Sequence, residues 1–249
     1  MTIQDLTAAL IRSLTVGLLF TIAPPLAWAQ VEEPAASSYI NFRIQTLKPG
    51  KLAEWEQLRQ EQSDGNRKAG TAFYHVYQSL RGPSDTFLIV SPATAIGEPE
   101  IPFASPSPSA VPQSWFNAIS GTLDSQMVVT LQIDSGLRTL PDGPGYPSNK
   151  FAHVRIRTAA PGRSGDFEAW LRNDLIPGLR KANVGDVRIG RVVLGGSPRT
   201  WVTFSFVEGW PYSDENPVDP RMLAKGDAMV ATWIDYFYEF RDDLSYSTE

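Results

Sequence analysis

Between residues 39 and 46 apolar and polar positions alternate: Ile40, Phe42 and Ile44 interleave with Asn41, Arg43 and Gln45. A period of two predicts a strand with one apolar face. Pro49-Gly50 ends it. Leu52, Trp55 and Leu58 then recur at three-residue spacing among charged positions, the pattern of an amphipathic helix. TAFYHVYQSL and DTFLIVSPA flank Arg81-Gly82-Pro83-Ser84 and predict a hairpin. A loop rich in proline and serine, from about residue 92 to 113, leads to a second helix at SWFNAISGTL and a last strand at QMVVTLQID. The order is β-α-β-β-α-β.

The same order is then repeated. FAHVRIRTAAPG (151–162) lies over YINFRIQTLKPG (39–50) at a constant shift of 112 residues. Arg43, Ile44, Thr46, Pro49 and Gly50 meet Arg155, Ile156, Thr158, Pro161 and Gly162. A helix follows, which Ser164 can cap and which carries Phe167, Trp170, Leu171 and Leu175; Pro177 is expected to end or bend it. VRIGRVVL and RTWVTFSFVEG flank a second hairpin turn, Gly195-Gly196-Ser197-Pro198. A second proline-containing loop, a helix at PRMLAKGDAMVATW and a strand at IDYFYEFR complete the copy. The loops before the second helices, at about 92–113 and 210–220, occupy equivalent places and are either extended connections or lids. The expected organisation is repeat one over 36–136, a linker over 137–148 and repeat two over 149–246.

Residues 1–29 are of another kind. Arg12 precedes the apolar run SLTVGLLFTIA, followed by Pro24, Pro25 and the small-x-small triplet Ala27-Trp28-Ala29. This reads as a secretory signal cleaved after Ala29, leaving Gln30 first and the product periplasmic or secreted. The run falls short of the ~20 residues of a bilayer span, so no membrane span is expected after cleavage. The net charge of −5 gives no broad basic field, which argues against nucleic acid as a partner. The chain has no cysteine, which excludes disulfides, a thiol nucleophile and thiolate metal sites.

The β-α-β-β-α-β unit is ferredoxin-like, and its antiparallel sheet has helices on one face only. Two copies in one chain can cover each other's bare faces. In this order and duplication the sequence resembles the dimeric α/β-barrel superfamily, which includes antibiotic-biosynthesis-type monooxygenases, NIPSNAP-like proteins and chlorite-dismutase-like haem proteins. The fold expectation is α+β: two fused ferredoxin-like repeats with facing sheets in a pseudo-dimeric barrel. The resemblance implies a small-molecule partner and admits haem as a cofactor.

Strand parity sorts the side chains into two faces. Phe42, Ile44, Val154 and Ile156 are assigned to the helices. Asn41, Arg43, Gln45, His153, Arg155 and Arg157 are assigned to the space between the sheets, together with Phe87 and Trp201 of the third strands and Asp235, Phe237 and Glu239 of the last. On the second strand of repeat one either His75 with Tyr77 or Tyr74 points in. Asn41, Arg43, His75, Phe87, His153, Arg155, Arg157, Trp201, Phe237 and Glu239 are therefore the ligand-binding candidates. Arginine forks suit a carboxylate or phosphate, whereas the same charges could instead form an interior network of ion pairs. His153 is the candidate proton-transfer residue. Two isolated histidines without an HExxH pattern predict no metal site, and there is no GxGxxG, phosphate-loop or GxSxG motif. Three function classes stay open: an exported ligand-binding or sensing protein, a cofactor-independent oxygenase-like or haem-dependent enzyme, and a structural module without a ligand.

Overall fold

The computed structural model describes residues 38–68, 73–81, 85–93, 113–140, 150–207 and 219–247. The expected export signal, most of the two long loops and most of the linker lie outside these residues. Repeat one contributes β1 (Ser38–Leu47), α1 (Leu52–Lys68), β2 (Phe73–Ser79), β3 (Thr86–Ala93), α2 (Gln113–Thr122) and β4 (Leu123–Arg138). Repeat two contributes β5 (Phe151–Ala159), α3 (Ser164–Trp170), α4 (Ile176–Lys181), β6 (Val187–Leu194), β7 (Thr200–Val207), α5 (Pro220–Asp227) and β8 (Val230–Phe240). A short β9 (Tyr246–Ser247) pairs with the start of β2.

Within each repeat the antiparallel strand order is the ferredoxin-like one, β4-β1-β3-β2 and β8-β5-β7-β6. The last strand of each repeat then pairs with the second strand of the other, β4 with β6 and β8 with β2. Eight strands thus close into one barrel with no long free edge, which is how all-antiparallel sheets avoid unsatisfied backbone groups. Among the described residues no helix is long and apolar enough to cross a membrane.

The duplication recurs in detail. Gly50 and Gly162 both adopt φ of 76°, a left-handed conformation that other residues adopt only with strain. Lys51 pairs with Glu54, and Arg163 with Asp166, three residues on. The Thr46 and Thr86 hydroxyls meet at 3.2 Å, and those of Thr158 and Thr200 at 2.9 Å.

The space between the sheets corrects the assignment of faces. It is filled by Phe42, Ile44, Leu88, Val90, Leu131, Val154, Val202, Phe204 and Tyr238, contributed by both repeats and buried. Phe42 and Phe204 meet edge to face at 5.5 Å. Each such side chain is worth roughly 1.5–3 kcal/mol when removed from water. Phe87, Ile89, Tyr74 and Val76 instead pack under Trp55 and Trp115 of α1 and α2, and Trp201 and Ile189 pack under Phe167, Trp170 and Leu175. The alternation was read correctly, but inside and outside are exchanged. A closed eight-stranded barrel has a narrow, dry interior, where unpaired charges would be costly. The arginine-bearing parity therefore lies on the outer faces. His75 is the exception: with Phe73 and Tyr77 it points inward.

Three local expectations also shift. Ser164 is the first helical residue rather than the cap; Arg163 holds the cap position and its guanidinium bonds Asp166 at 2.8 Å. Pro177 does not stop the helix, because a π-helical turn (Leu171–Leu175) directly precedes it and its wider winding accommodates a residue that has no N–H to give. The segment VATW is strand, not helix: β8 starts at Val230, and Thr232 and Trp233 pair with Thr158 and Arg157 of β5.

Candidate functional site

On the outer face of repeat two, β5 and β8 run side by side with His153 opposite Phe237, Arg155 opposite Asp235 and Arg157 opposite Trp233. Across the other edge of β5, Arg157 also lies opposite Trp201 of β7. Alternation places all seven side chains on one surface. The structure thus brings together five of the candidates, His153, Arg155, Arg157, Trp201 and Phe237, and adds Asp235 and Trp233.

Asp235 is the hub. Its Oδ1 lies 3.1 Å from His153 Nε2 and accepts from Arg155 Nε at 2.5 Å, while Oδ2 accepts from Arg155 Nη2 at 3.0 Å. Burial works against the charge on Asp235, but the hydrogen bonds from His153 and Arg155, with the arginine's charge, bring its pKa down to about 2. The carboxylate is therefore ionised throughout the neutral and mildly acid range and serves as a fixed anchor, not a proton donor. His153 stacks on Phe237 at 4.2 Å with 10° between the planes. Arg155 lies over Trp233 at 5.6 Å, and Arg81, from the end of β2, over Phe237 at 5.4 Å. His153 and Asp235 keep 22% and 21% side-chain exposure, enough for a solute to reach them.

Arg157 differs from its neighbours. It is 4% exposed, and among the described residues its guanidinium has no hydrogen bond and no ion pair within bonding distance. Burial, then repulsion from Arg155, lowers its pKa to about 10, with partial compensation from the more distant Asp227 and Asp235. Directly opposite, the buried indole Nε1 of Trp201 also has no acceptor. Two donors without acceptors thus sit on neighbouring strands under the helices of repeat two. Buried polar groups in folded proteins are nearly always satisfied, so such a pair calls for an explanation.

The equivalent surface of repeat one is filled. Gln45, the counterpart of Arg157, accepts from Trp55 Nε1 at 3.0 Å and from Arg59 Nη2 at 2.6 Å. Arg59 also bonds Gln62 and, at 3.1 Å, the Tyr74 hydroxyl. Arg59, only 1% exposed, was not singled out from the sequence. The signal was present: Trp55, Arg59, Gln62 and Asn66 fall on one stripe of α1, and all are buried.

The remaining candidates stand apart. Asn41 lies opposite Ser91 and Thr130, and Arg43 opposite Ile89 and Val128, on the outer face of repeat one. Phe87 packs on Trp55 at 4.1 Å beneath α1. Glu239 faces Gln78 at the β2–β8 junction. His75 is fully buried in the barrel, with Nε2 at 2.6 Å from the Ser247 hydroxyl and Nδ1 without a hydrogen-bond partner. No group of three or more metal-ligating side chains occurs among the described residues.

No family model and no curated protein matches the chain. Among solved structures it is similar to a candidate monooxygenase from Lactobacillus acidophilus NCFM, at 10% identity and TM-score 0.59 over 85% of this chain and 97% of that one. It is similar to an anthrone oxidase-like protein, at 11% identity and TM-score 0.59 over 84% and 93%. It is also similar to a chlorite dismutase variant from Candidatus Nitrospira defluvii, at 12% identity and TM-score 0.52 over 83% and 92%. At these identities the likeness speaks to the fold, that of the dimeric α/β barrels.

Proposed function

Taking the chain as a single-chain dimeric α/β barrel, we propose that it is an exported protein that binds a small planar organic anion on the outer face of repeat two. Arg157 carries this reading. A guanidinium largely withdrawn from water and given no acceptor by the protein is costly, and an anionic ligand oxygen supplies that acceptor. Trp201 Nε1 offers a second donor to the same group. Trp233 and the His153–Phe237 stack provide aromatic faces for a ring, and Arg155 adds positive charge beside Asp235.

A second reading, oxygenase-like chemistry, is favoured by the His153–Asp235 pair and by likeness to structures described as monooxygenase and anthrone oxidase-like. In it His153 accepts the proton of a bound phenol or enol, Asp235 steadies the resulting imidazolium, and Arg157 stabilises the anion formed. Haem, implied by the resemblance to chlorite-dismutase-like proteins, does not fit the histidines as they stand. His153 is tied to Asp235 and covered by Phe237, and His75 lies in the barrel core against Ser247. No step is assigned to it.

The test is titration of the purified mature protein with 1-hydroxy-2-naphthoate, followed by tryptophan fluorescence. Micromolar quenching that Arg157→Gln weakens at least tenfold is expected. Equal affinity in the variant, or no binding by the parent, overturns the reading. Oxygen uptake with anthrone as substrate, lost in His153→Ala while naphthoate binding persists, would select the enzymatic form.

A further inference from the structure

The barrel closes at two seams related by the duplication, β2 against β8 and β6 against β4. We infer that the β2–β8 seam is a second binding site, for a small planar hydroxy acid, and that its counterpart is sealed. A cavity of about 460 Å³ opens beside the β2–β8 seam, within the roughly 300–1,000 Å³ of small-molecule pockets. Ile44, Thr46 and Thr86 line it from β1 and β3. Ser79, Arg81, Asp235 and Tyr236 line it from the strands of the seam.

Register pairs every one of these positions with its counterpart in the other repeat. Ile44, Thr46 and Thr86 correspond to Ile156, Thr158 and Thr200, the same residue types. The four seam positions have diverged together. Asp235 and Tyr236 correspond to Val128 and Val129, which occupy the same register against β1 that they occupy against β5. Ser79 corresponds to Val192, opposite the equivalent residue of the last strand, and Arg81, two residues on, to Leu194. One seam is polar and charged where the other is wholly aliphatic.

The backbone follows the same division. The β2–β8 seam holds only three register pairs, the β4–β6 seam five. At the aliphatic seam Gly195, with φ of 81°, comes so close that a Cβ would stand 2.2 Å from the Val128 carbonyl oxygen. A Cβ on Gly196 would touch Val192 and Val129 at 3.3 and 3.5 Å. The β6–β7 turn thus lies directly on its seam and closes it.

The lining indicates the ligand. Asp235 is held by His153 and Arg155, and Arg81 brings a further cation to the lining, which favours an acid. Tyr236 offers a hydroxyl that can donate and accept, the mutually bonded Thr46 and Thr86 offer one further proton between them, and Ser79, which donates to the Arg81 carbonyl at 2.6 Å, offers an acceptor. Ile44 and the Tyr236 ring offer a flat apolar surface for a ring bearing those groups.

The experiment is calorimetric titration of the full mature chain with 3,4-dihydroxybenzoate. One ligand per chain is expected at this seam. Thr46→Phe, which fills the cavity, and Arg81→Leu, which installs the counterpart residue at an exposed position, should each weaken binding tenfold or more. Thr158→Phe, at the sealed seam, should leave it unchanged, and Arg157→Gln should leave one ligand bound at this seam whatever the outer face takes up. Arg81→Leu keeps the test decisive if Thr46→Phe does not fold. No binding by the parent, or parental affinity in Arg81→Leu, overturns the inference. Loss of binding in Arg157→Gln alone also overturns it, and assigns the probe to the outer-face site instead.

Discussion

His75 and Arg188 occupy equivalent positions in the two repeats, opposite Val90 and Phe204, and both point into the barrel. Arg188 is 2% exposed and paired with Asp186 through two of its nitrogens. Its charge reaches His75. Burial first, and Arg188 second, lower the pKa of His75 to about 4. Duplication has thus put two basic groups in one dry interior, where His75 is held in its neutral form at neutral pH.

This makes stability depend on pH in a defined direction. In the unfolded chain His75 takes up a proton near pH 6.5; in the folded chain it does so only near 4. Between these values the unfolded state binds more protons, so stability falls as pH drops from 6.5 to 4. The full effect is on the order of 3 kcal/mol. Carboxylates with lowered pKa, such as Asp235, lose their contribution below this window. Urea melts at pH 7.0 and 4.5 check it: His75→Gln should flatten the difference, and a parental slope in that variant would exclude His75 as its source.

Arg157→Gln should stabilise the protein. The change installs the residue that repeat one carries at Gln45 and removes a buried charge without an acceptor. Removing a buried charge that has no close partner spares its desolvation cost, so a thermal melt should move upward even as naphthoate affinity falls. A variant that melts lower would mean that Arg157 acts in the fold.

Arg155→Ala and His153→Ala should separate. Arg155 makes two hydrogen bonds to Asp235 yet keeps 30% exposure, so solvent screens part of the pair and the loss should be about 1–2 kcal/mol. His153→Ala removes one hydrogen bond and one ring stack, at a cost of about 1 kcal/mol. Denaturant midpoints decide between this ranking and its reverse.

Gly50→Ala and Gly162→Ala should destabilise alike, by roughly 1–2 kcal/mol each, because both glycines hold φ of 76° with nothing within 4 Å of an added Cβ. The cost is purely conformational. A large difference between the two melts would show that the turns are not equivalent. Export is checked separately: mass spectrometry of native protein should find Gln30 at the N-terminus, and an intact cytoplasmic Met1 would reject the signal.

The fold was legible because duplication doubles every signal. The 112-residue shift joins Arg43 to Arg155 and Gly50 to Gly162, and the strand order follows from it. The faces were not legible. Alternation tells which residues share a side, as Phe42 and Ile44 do; which side is dry depends on barrel closure, a property of two distant strand pairs. His153, Arg155, Arg157, Trp201 and Phe237 were therefore grouped correctly and placed on the wrong surface. Arg59 escaped notice because a charged residue on a helix is ordinarily solvated, and only the covering Trp55 and Trp115 bury it.

The cross-pairing of last strands has a kinetic consequence. Ser79 and Tyr238 are neighbours in the barrel but belong to the second strand of one repeat and the last strand of the other. So long a loop is costly to close, so this pairing forms late, after both repeats have assembled their own strands. A ribosome or an export channel would release repeat one long before β8 exists to complete it. The nascent chain must carry an open sheet edge until its final residues arrive, and the three-pair seam that closes last is also the place from which the barrel should first unzip. In native-state hydrogen exchange, the amide of Leu80, bonded to Phe237 across that seam at 2.7 Å, should lose protection before those of β1 and β5.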